Sequence, residues 1–343
     1  MSNIICNLSI SINRFLLKEK YNYLRKIHLR SYYNVLFFGS DVIGLNCLQE
    51  IDKIRKNENL IRRLDLVTAN SSKNKNAIEK YAETNNMRIL HWPNLNINEG
   101  EYDIGLIVAF GHLIKADVLK KFPLGMVNVH PSLLPRWRGA APIIYTLMHG
   151  DTVGGVSLMK IKPDIFDVGE IISQQRVPVS DTIKLPELTR QFSDIGAKML
   201  VNCLKNLPRS LENAQPQSNE GVTYAKKINK SISQVRWMEM SAKEVYNLYR
   251  AIYGLYPLTT MFKDKQVKLF NAFLVNNDLY SDKPIGTLEY CESTKSIRIL
   301  CKDKKFINFK SLRIVGRKEI SAVDFYNGYI KNISVDVRLC VAC

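Results

Sequence analysis

Charge-free runs are short in this sequence of 343 residues. None reaches fifteen residues, whereas a helix that crosses a bilayer needs about 20 apolar ones, so no membrane span is expected. Cysteine is scarce and odd in number, seven in all and scattered, which argues against a disulfide framework. The terminal Cys340-Val341-Ala342-Cys343 is a lone CxxC with neither a second pair nor a nearby histidine. Histidine is scarcer still, at five. His28, His91, His112 and His149 show no metal-ligand spacing and HExxH is absent, so no metal is expected. The turn Phe37-Phe38-Gly39-Ser40-Asp41-Val42-Ile43-Gly44 has two glycines where a dinucleotide cradle needs three, and GxxxxGK[ST] is missing. Acidic residues are the last shortage: 32 Asp and Glu stand against 49 Lys and Arg, a net charge of +17.

The excess of basic residues is not spread evenly. Residues 1–30 carry six Lys/Arg and one acid, residues 31–220 carry 22 and 20, and residues 221–343 carry 21 and 11. The centre is nearly neutral, and the ends carry the charge. The N-terminal stretch sets Arg14, Lys18, Lys20, Arg25, Lys26 and Arg30 against Ile12, Phe15, Leu16, Tyr23, Leu24 and Ile27. A basic, amphipathic segment poor in acids has the pattern of a mitochondrial transit peptide, placed at 1–31 and directing the chain to the matrix. The basic C-terminal block points instead to a polyanionic partner, nucleic acid before membrane surface. Lys302, Lys304, Lys305, Lys310, Arg313, Arg317 and Lys318 fall within 17 positions. If one face collects them, phosphate contacts with steep salt dependence follow.

Hydrophobic residues at 46% and charged residues at 24% suit folded domains. From Tyr33 to about Leu207 strand-like runs (33–38, 64–69, 104–110, 126–130, 154–161, 170–179) alternate with helix-like ones (about 42–51, 76–84, 186–207). That alternation predicts an α/β fold, a doubly wound and mostly parallel sheet, with ligands outside the carboxyl ends of its strands. The polar stretch 208–225 reads as a linker. Beyond it, short strands at close spacing predict a small β-barrel over 226–332, followed by a tail at 333–343.

Asn128-Val129-His130 ends a buried strand-like run just before Pro131. Positions two apart on a strand share a face, so a carboxamide and an imidazole can both donate to one oxygen, as a tetrahedral acyl-transfer intermediate requires. Asp167 in Phe166-Asp167-Val168-Gly169 is the candidate carboxylate partner for His130, with Gly169 expected to let the backbone turn tightly around a planar ligand. A turn asparagine, a core histidine and a loop-capping aspartate are the bland alternatives for these three.

The run of fifteen positions Asn128-Val129-His130-Pro131-Ser132-Leu133-Leu134-Pro135-Arg136-Trp137-Arg138-Gly139-Ala140-Ala141-Pro142, with Gly150-Asp151 and Asp167-Val168-Gly169, resembles the formyltransferases that use 10-formyltetrahydrofolate, in particular the branch acting on initiator methionyl-tRNA. The likeness extends to 108–119 and to Thr223-Tyr224-Ala225-Lys226-Lys227-Ile228, and spans roughly Tyr33 to Asn332. It implies that Asn128, His130 and Asp167 are the catalytic trio and that Ser132, Leu133, Leu134 and Pro135 approach the folate. It also implies that the C-terminal domain is an OB-like barrel contacting tRNA. A monomer is expected. Two departures stand out. Pro131 follows His130 where many members have glycine, removing a backbone donor. The loop Ala69–Lys75 is short, leaving Lys73 and Lys75 as its cations. Arg136 and Arg138 are candidates for substrate or RNA positioning, while Trp137 reads as a packing residue. Lys302, Lys304 and Lys305 are the candidate RNA contacts of the C-terminal block. A folate-dependent transferase acting on a small amine, or an inactive RNA-binding relative, are the competing readings.

Overall fold

The computed structural model describes residues 32–69, 75–275 and 280–332. The basic segment 1–31, Lys73 and the tail 333–343 lie outside the described residues. Along the chain run β1 (Tyr33–Gly39), α1 (Val42–Asn57), β2 (Ile61–Ala69), α2 (Ala77–Thr84), β3 (Ile89–Trp92), β4 (Ile104–Val108), α3 (Ala116–Leu119), β5 (Met126–His130), α4 (Pro142–Met148), β6 (Val153–Lys160), β7 (Ile171–Pro178), α5 (Leu185–Lys205) and α6 (Arg209–Glu212).

The seven strands form one sheet in the order β3-β2-β1-β4-β5-β6-β7. β3, β2, β1, β4 and β5 pair in parallel, and β6 runs antiparallel to β5. β1 and β4 are buried nearly throughout, as strands covered on both faces must be. Sequence periodicity finds the long strands but not β3, whose four residues are too few to show a period.

Local chemistry explains the flanking helices. Asp41 caps α1 by accepting the N–H groups of Ile43 and Gly44, and α2 opens with a reciprocal capping box between Asn76 and Glu79. Leu48, Ile51 and Ile54 keep helical spacing and are buried on one side of α1. The glycine at the end of β1 is a packing glycine, since a Cβ on Gly39 would stand 3.2 Å from the Val108 carbonyl oxygen. The strand order reverses direction between β1 and β4, so the crevice at their carboxyl ends is the natural ligand position of the sheet. Ala109, just past β4, is exposed and held at φ +49°.

Contacts divide the described chain into two units. The first holds residues up to Ala140, Gly155–Val177 and Thr189–Tyr224; the second holds Ala141–Gly154, Pro178–Leu188 and residues from Ala225 onward. The stretch 208–225, expected as a linker, mostly belongs to the first unit, where Gln215 exchanges backbone hydrogen bonds with Ile171 at 2.7 and 2.9 Å.

The second unit contains α7 (Ala242–Ala251), β8 (Leu258–Phe262), β9 (Lys265–Phe273), β10 (Leu288–Cys291), β11 (Ser296–Leu300), β12 (Phe306–Ile314), β13 (Ile320–Ser321) and α8 (Ala322–Tyr329). Its six strands pair antiparallel in the order β10-β11-β12-β9-β8, with β13 beside β12. Inward positions alternate along β9 and β11, where Val267, Leu269, Ile297 and Ile299 are buried. Arg250 of α7 is also buried and donates to Asn247 Oδ1 at 3.0 Å, to the Ser180 carbonyl at 3.0 Å and to the Leu147 carbonyl at 3.2 Å. One side chain thus ties together three segments of this unit that are far apart in sequence. Among the described residues, no helix is long and apolar enough to cross a membrane.

Candidate active site

β5 lies between β4 and β6, and alternation puts Asn128 and His130 on the same side of it. Asn128 is half-buried, and among the described residues its carboxamide has no hydrogen-bond partner. His130 is 4% exposed. Its Nε2 lies 2.9 Å from the carbonyl oxygen of Trp137. A carbonyl can only accept, so the ring carries its proton on Nε2. Nδ1 is left 3.5 Å from Oδ1 of Asp167, within ion-pair reach and longer than an ordinary N–H···O bond.

Asp167 arrives from a different part of the chain and is 7% exposed. Its second oxygen, Oδ2, accepts the Gly139 N–H at 2.8 Å. Asp167 has φ +56°, in the left-handed region that aspartate tolerates better than most residues. Gly169 stands so close to β6 that an added Cβ would lie 1.7 Å from the Lys160 carbonyl oxygen. Close packing of backbone on backbone, rather than a turn around a planar ligand, accounts for this glycine.

The segment after His130 is folded into a hydrogen-bonded loop. The Ser132 N–H donates to the His130 carbonyl at 2.8 Å, and the Ser132 hydroxyl donates to the Arg136 carbonyl at 2.6 Å. Ser157 of β6 donates to the Ser132 carbonyl at 2.6 Å and accepts the Leu134 N–H at 3.0 Å. Gln174 of β7 donates to the Leu134 carbonyl at 2.8 Å. Ser132 and Leu134 are therefore buried in the support of the loop, while Leu133 and Pro135 remain half-exposed.

Trp137 is 6% exposed, with the Arg136 guanidinium 4.2 Å from its ring centre. Its indole packs, and its backbone works: the carbonyl receives His130, and the N–H donates to Thr223 Oγ1 at 2.9 Å. Arg138 turns its side chain onto Gln217, with Nε and Nη2 at 3.2 and 2.7 Å from Oε1. Gln217 in turn donates to the Asp167 and Gly169 carbonyls at 2.9 and 2.8 Å. The Trp137 carbonyl, Thr223 and Gln217 are absent from the sequence-based site. A main-chain acceptor leaves no signature in residue type, and Gln217 sits in a stretch whose composition suggests a linker. The only hint is the Thr223–Ile228 resemblance.

The other candidates are not part of this cluster. Lys75 is exposed and paired with Glu83. Lys302 and Lys305 are exposed on the second unit, while Lys304 is half-exposed and donates to the Lys283 carbonyl at 2.9 Å. Among the described residues, no group of three His, Cys, Asp or Glu side chains is placed to hold a metal ion.

Comparison with known proteins places both parts of the chain in one family. Residues 62–204 match the family described as formyl transferase, and residues 227–330 match the formyl transferase C-terminal domain. The chain is 40% identical over 308 residues to a mitochondrial methionyl-tRNA formyltransferase of Bos taurus, covering 87% of this chain and 78% of the relative. The counterpart in Homo sapiens is 39% identical over the same coverage. Among solved structures, the sugar 3N-formyl transferase WlaRD, crystallised in the presence of dTDP and 5-N-formyl-THF, superposes with a TM-score of 0.62 at 20% identity. That match covers 83% of this chain and 98% of that one, and it bears on the fold.

Proposed function

We propose a function from one premise: this chain belongs to the formyl transferase family, among the methionyl-tRNA formyltransferases. It transfers the formyl group of 10-formyltetrahydrofolate to the α-amino group of methionine on initiator tRNA. The free methionyl amine attacks the formyl carbon, and the carbonyl oxygen becomes an anion in the tetrahedral intermediate. Asn128 donates to that oxygen with its unpartnered carboxamide. His130, protonated on Nδ1 beside Asp167, donates a hydrogen bond to the same oxygen and keeps its proton throughout. Asp167 also offsets the positive charge the imidazole then carries. As the intermediate collapses, the amine loses a proton, N10 of the folate gains one, and formyl-methionyl-tRNA and tetrahydrofolate leave.

The observation that carries this reading is the state of the imidazole. Nε2 is committed to a main-chain carbonyl and Nδ1 faces a buried carboxylate, so a second proton has a prepared place. Leu133 and Pro135, with the supporting Ser132 and Leu134, line the approach of the folate. The catalytic domain is assigned to 32–207, with Gln217 and Thr223 of the stretch that follows completing it, and the basic domain at 226–332 holds the tRNA. Residues 1–31 serve for import, so that the enzyme works as a monomer in the mitochondrial matrix.

The test is transfer of labelled formyl groups from 10-formyltetrahydrofolate to charged and uncharged initiator tRNA. Label is expected on methionyl-tRNA alone; label on uncharged tRNA or on neither would overturn the reading. His130→Ala should lose about 10²–10⁴ in rate and keep its affinity for tRNA. A variant at wild-type rate would remove His130 from the mechanism.

A further inference from the structure

Gln217 is the point where the site is tied to a distant part of the chain. It lies 50 residues from Asp167 and 79 from Arg138, in the polar stretch whose composition suggests a linker. Every polar atom of its amide is used. Nε2 donates to the Asp167 carbonyl at 2.9 Å and to the Gly169 carbonyl at 2.8 Å. Oε1 accepts from Nε and Nη2 of Arg138. The chemistry of the partners fixes the orientation, because carbonyls only accept and a guanidinium only donates.

The contacts close a ring. Arg138 is followed by Gly139, whose N–H holds the Asp167 carboxylate, and Gln217 holds both the Arg138 side chain and the Asp167 backbone. The turn it grips is one that does not hold itself. Asp167 sits at φ +56°, a conformation disfavoured for residues with a Cβ and kept where the surroundings determine it. At the other end, Gly169 is pressed against the Lys160 carbonyl. With both ends held, the carboxylate is presented 3.5 Å from His130 Nδ1.

We infer that Gln217 is a positioning residue for formyl transfer, acting through Asp167, and that Arg138 serves to orient it. The inference rests on the role given to Asp167 in the proposed function. Gln217→Glu is the informative change. It keeps size and an acceptor for Arg138, but turns a carboxylate oxygen toward two carbonyls in place of two donors.

With the full chain, 10-formyltetrahydrofolate and methionyl-tRNA, kcat is expected to fall about 100-fold, the scale set by a 1 Å misplacement of a reacting group. KM for either substrate should stay put. In an Asp167→Asn background the same change should cost almost nothing further, because both substitutions act through one carboxylate. Full kcat in Gln217→Glu overturns the inference, as do losses that multiply in the double variant or a rise confined to KM for tRNA. Failure of both Gln217→Glu and the apolar Gln217→Met to melt as folded proteins also overturns it, by making the residue purely structural. The premise fails separately: wild-type rate in Asp167→Asn removes Asp167 itself, whereas an inactive Asp167→Asn beside a fully active Gln217→Glu removes only Gln217.

Discussion

At the scale of single residues, the site divides its labour by how each polar group is committed. The His130 ring is fixed on one side by Trp137 and faces Asp167 on the other, while the Asn128 carboxamide has no such commitment among the described residues. A side chain without protein partners can turn all its donor capacity to a charge that exists only in the transition state, and such a donor is worth most there. Asn128→Ala is therefore expected to lower kcat about 10²–10³-fold, with little change in KM for methionyl-tRNA. Steady-state kinetics with saturating folate checks this. A rise in KM with kcat unchanged would place Asn128 in ground-state binding instead.

At the scale of elements, the strands show what a sequence can and cannot reveal. β1, β4 and β5 are legible because burial on both faces demands unbroken apolar runs, and Asn128-Val129-His130 is legible because it interrupts one. The approach of Asp167 to His130 follows no local rule; it depends on Gly169 lying against β6 and on Gln217 reaching the turn. Composition also misleads at 208–225, where Gln217 bonds the carbonyls of Asp167 and Gly169 and Gln215 pairs with Ile171 although much of the stretch is exposed. Arg250 belongs to the same class of illegible features. Its buried guanidinium serves the carbonyls of Leu147 and Ser180 and the amide of Asn247, and removing a donor from buried acceptors costs about 1–3 kcal/mol for each group left alone. Arg250→Ala should therefore destabilise the second unit by about 3 kcal/mol, read as a lower urea midpoint. Arg250→Met, which restores the apolar stem, should recover part of the loss. Unchanged midpoints would show that water replaces the guanidinium without cost.

At the scale of the whole molecule, the chain must handle a small reacting amine attached to a large polyanion. Its charge is arranged for that: the central residues are almost neutral, and the C-terminal block holds 21 basic against 11 acidic residues. Near the beginning of β12, Lys305 is exposed and Lys304 half-exposed, away from the core that supports the strand. Changing both to Glu should weaken methionyl-tRNA binding more at low salt than at high salt, and flatten the dependence of log affinity on log salt. Filter binding across a salt series measures it. Equal weakening at every salt concentration would move the RNA surface elsewhere.

The acceptor for His130 is a main-chain oxygen, and that has a genetic consequence. Any residue placed at position 137 brings the same carbonyl, so point mutation cannot delete the group that selects the imidazole tautomer. Mutations at 137 can only displace it. The proton arrangement of the ring is thereby insulated from drift in the side chain nearest to it.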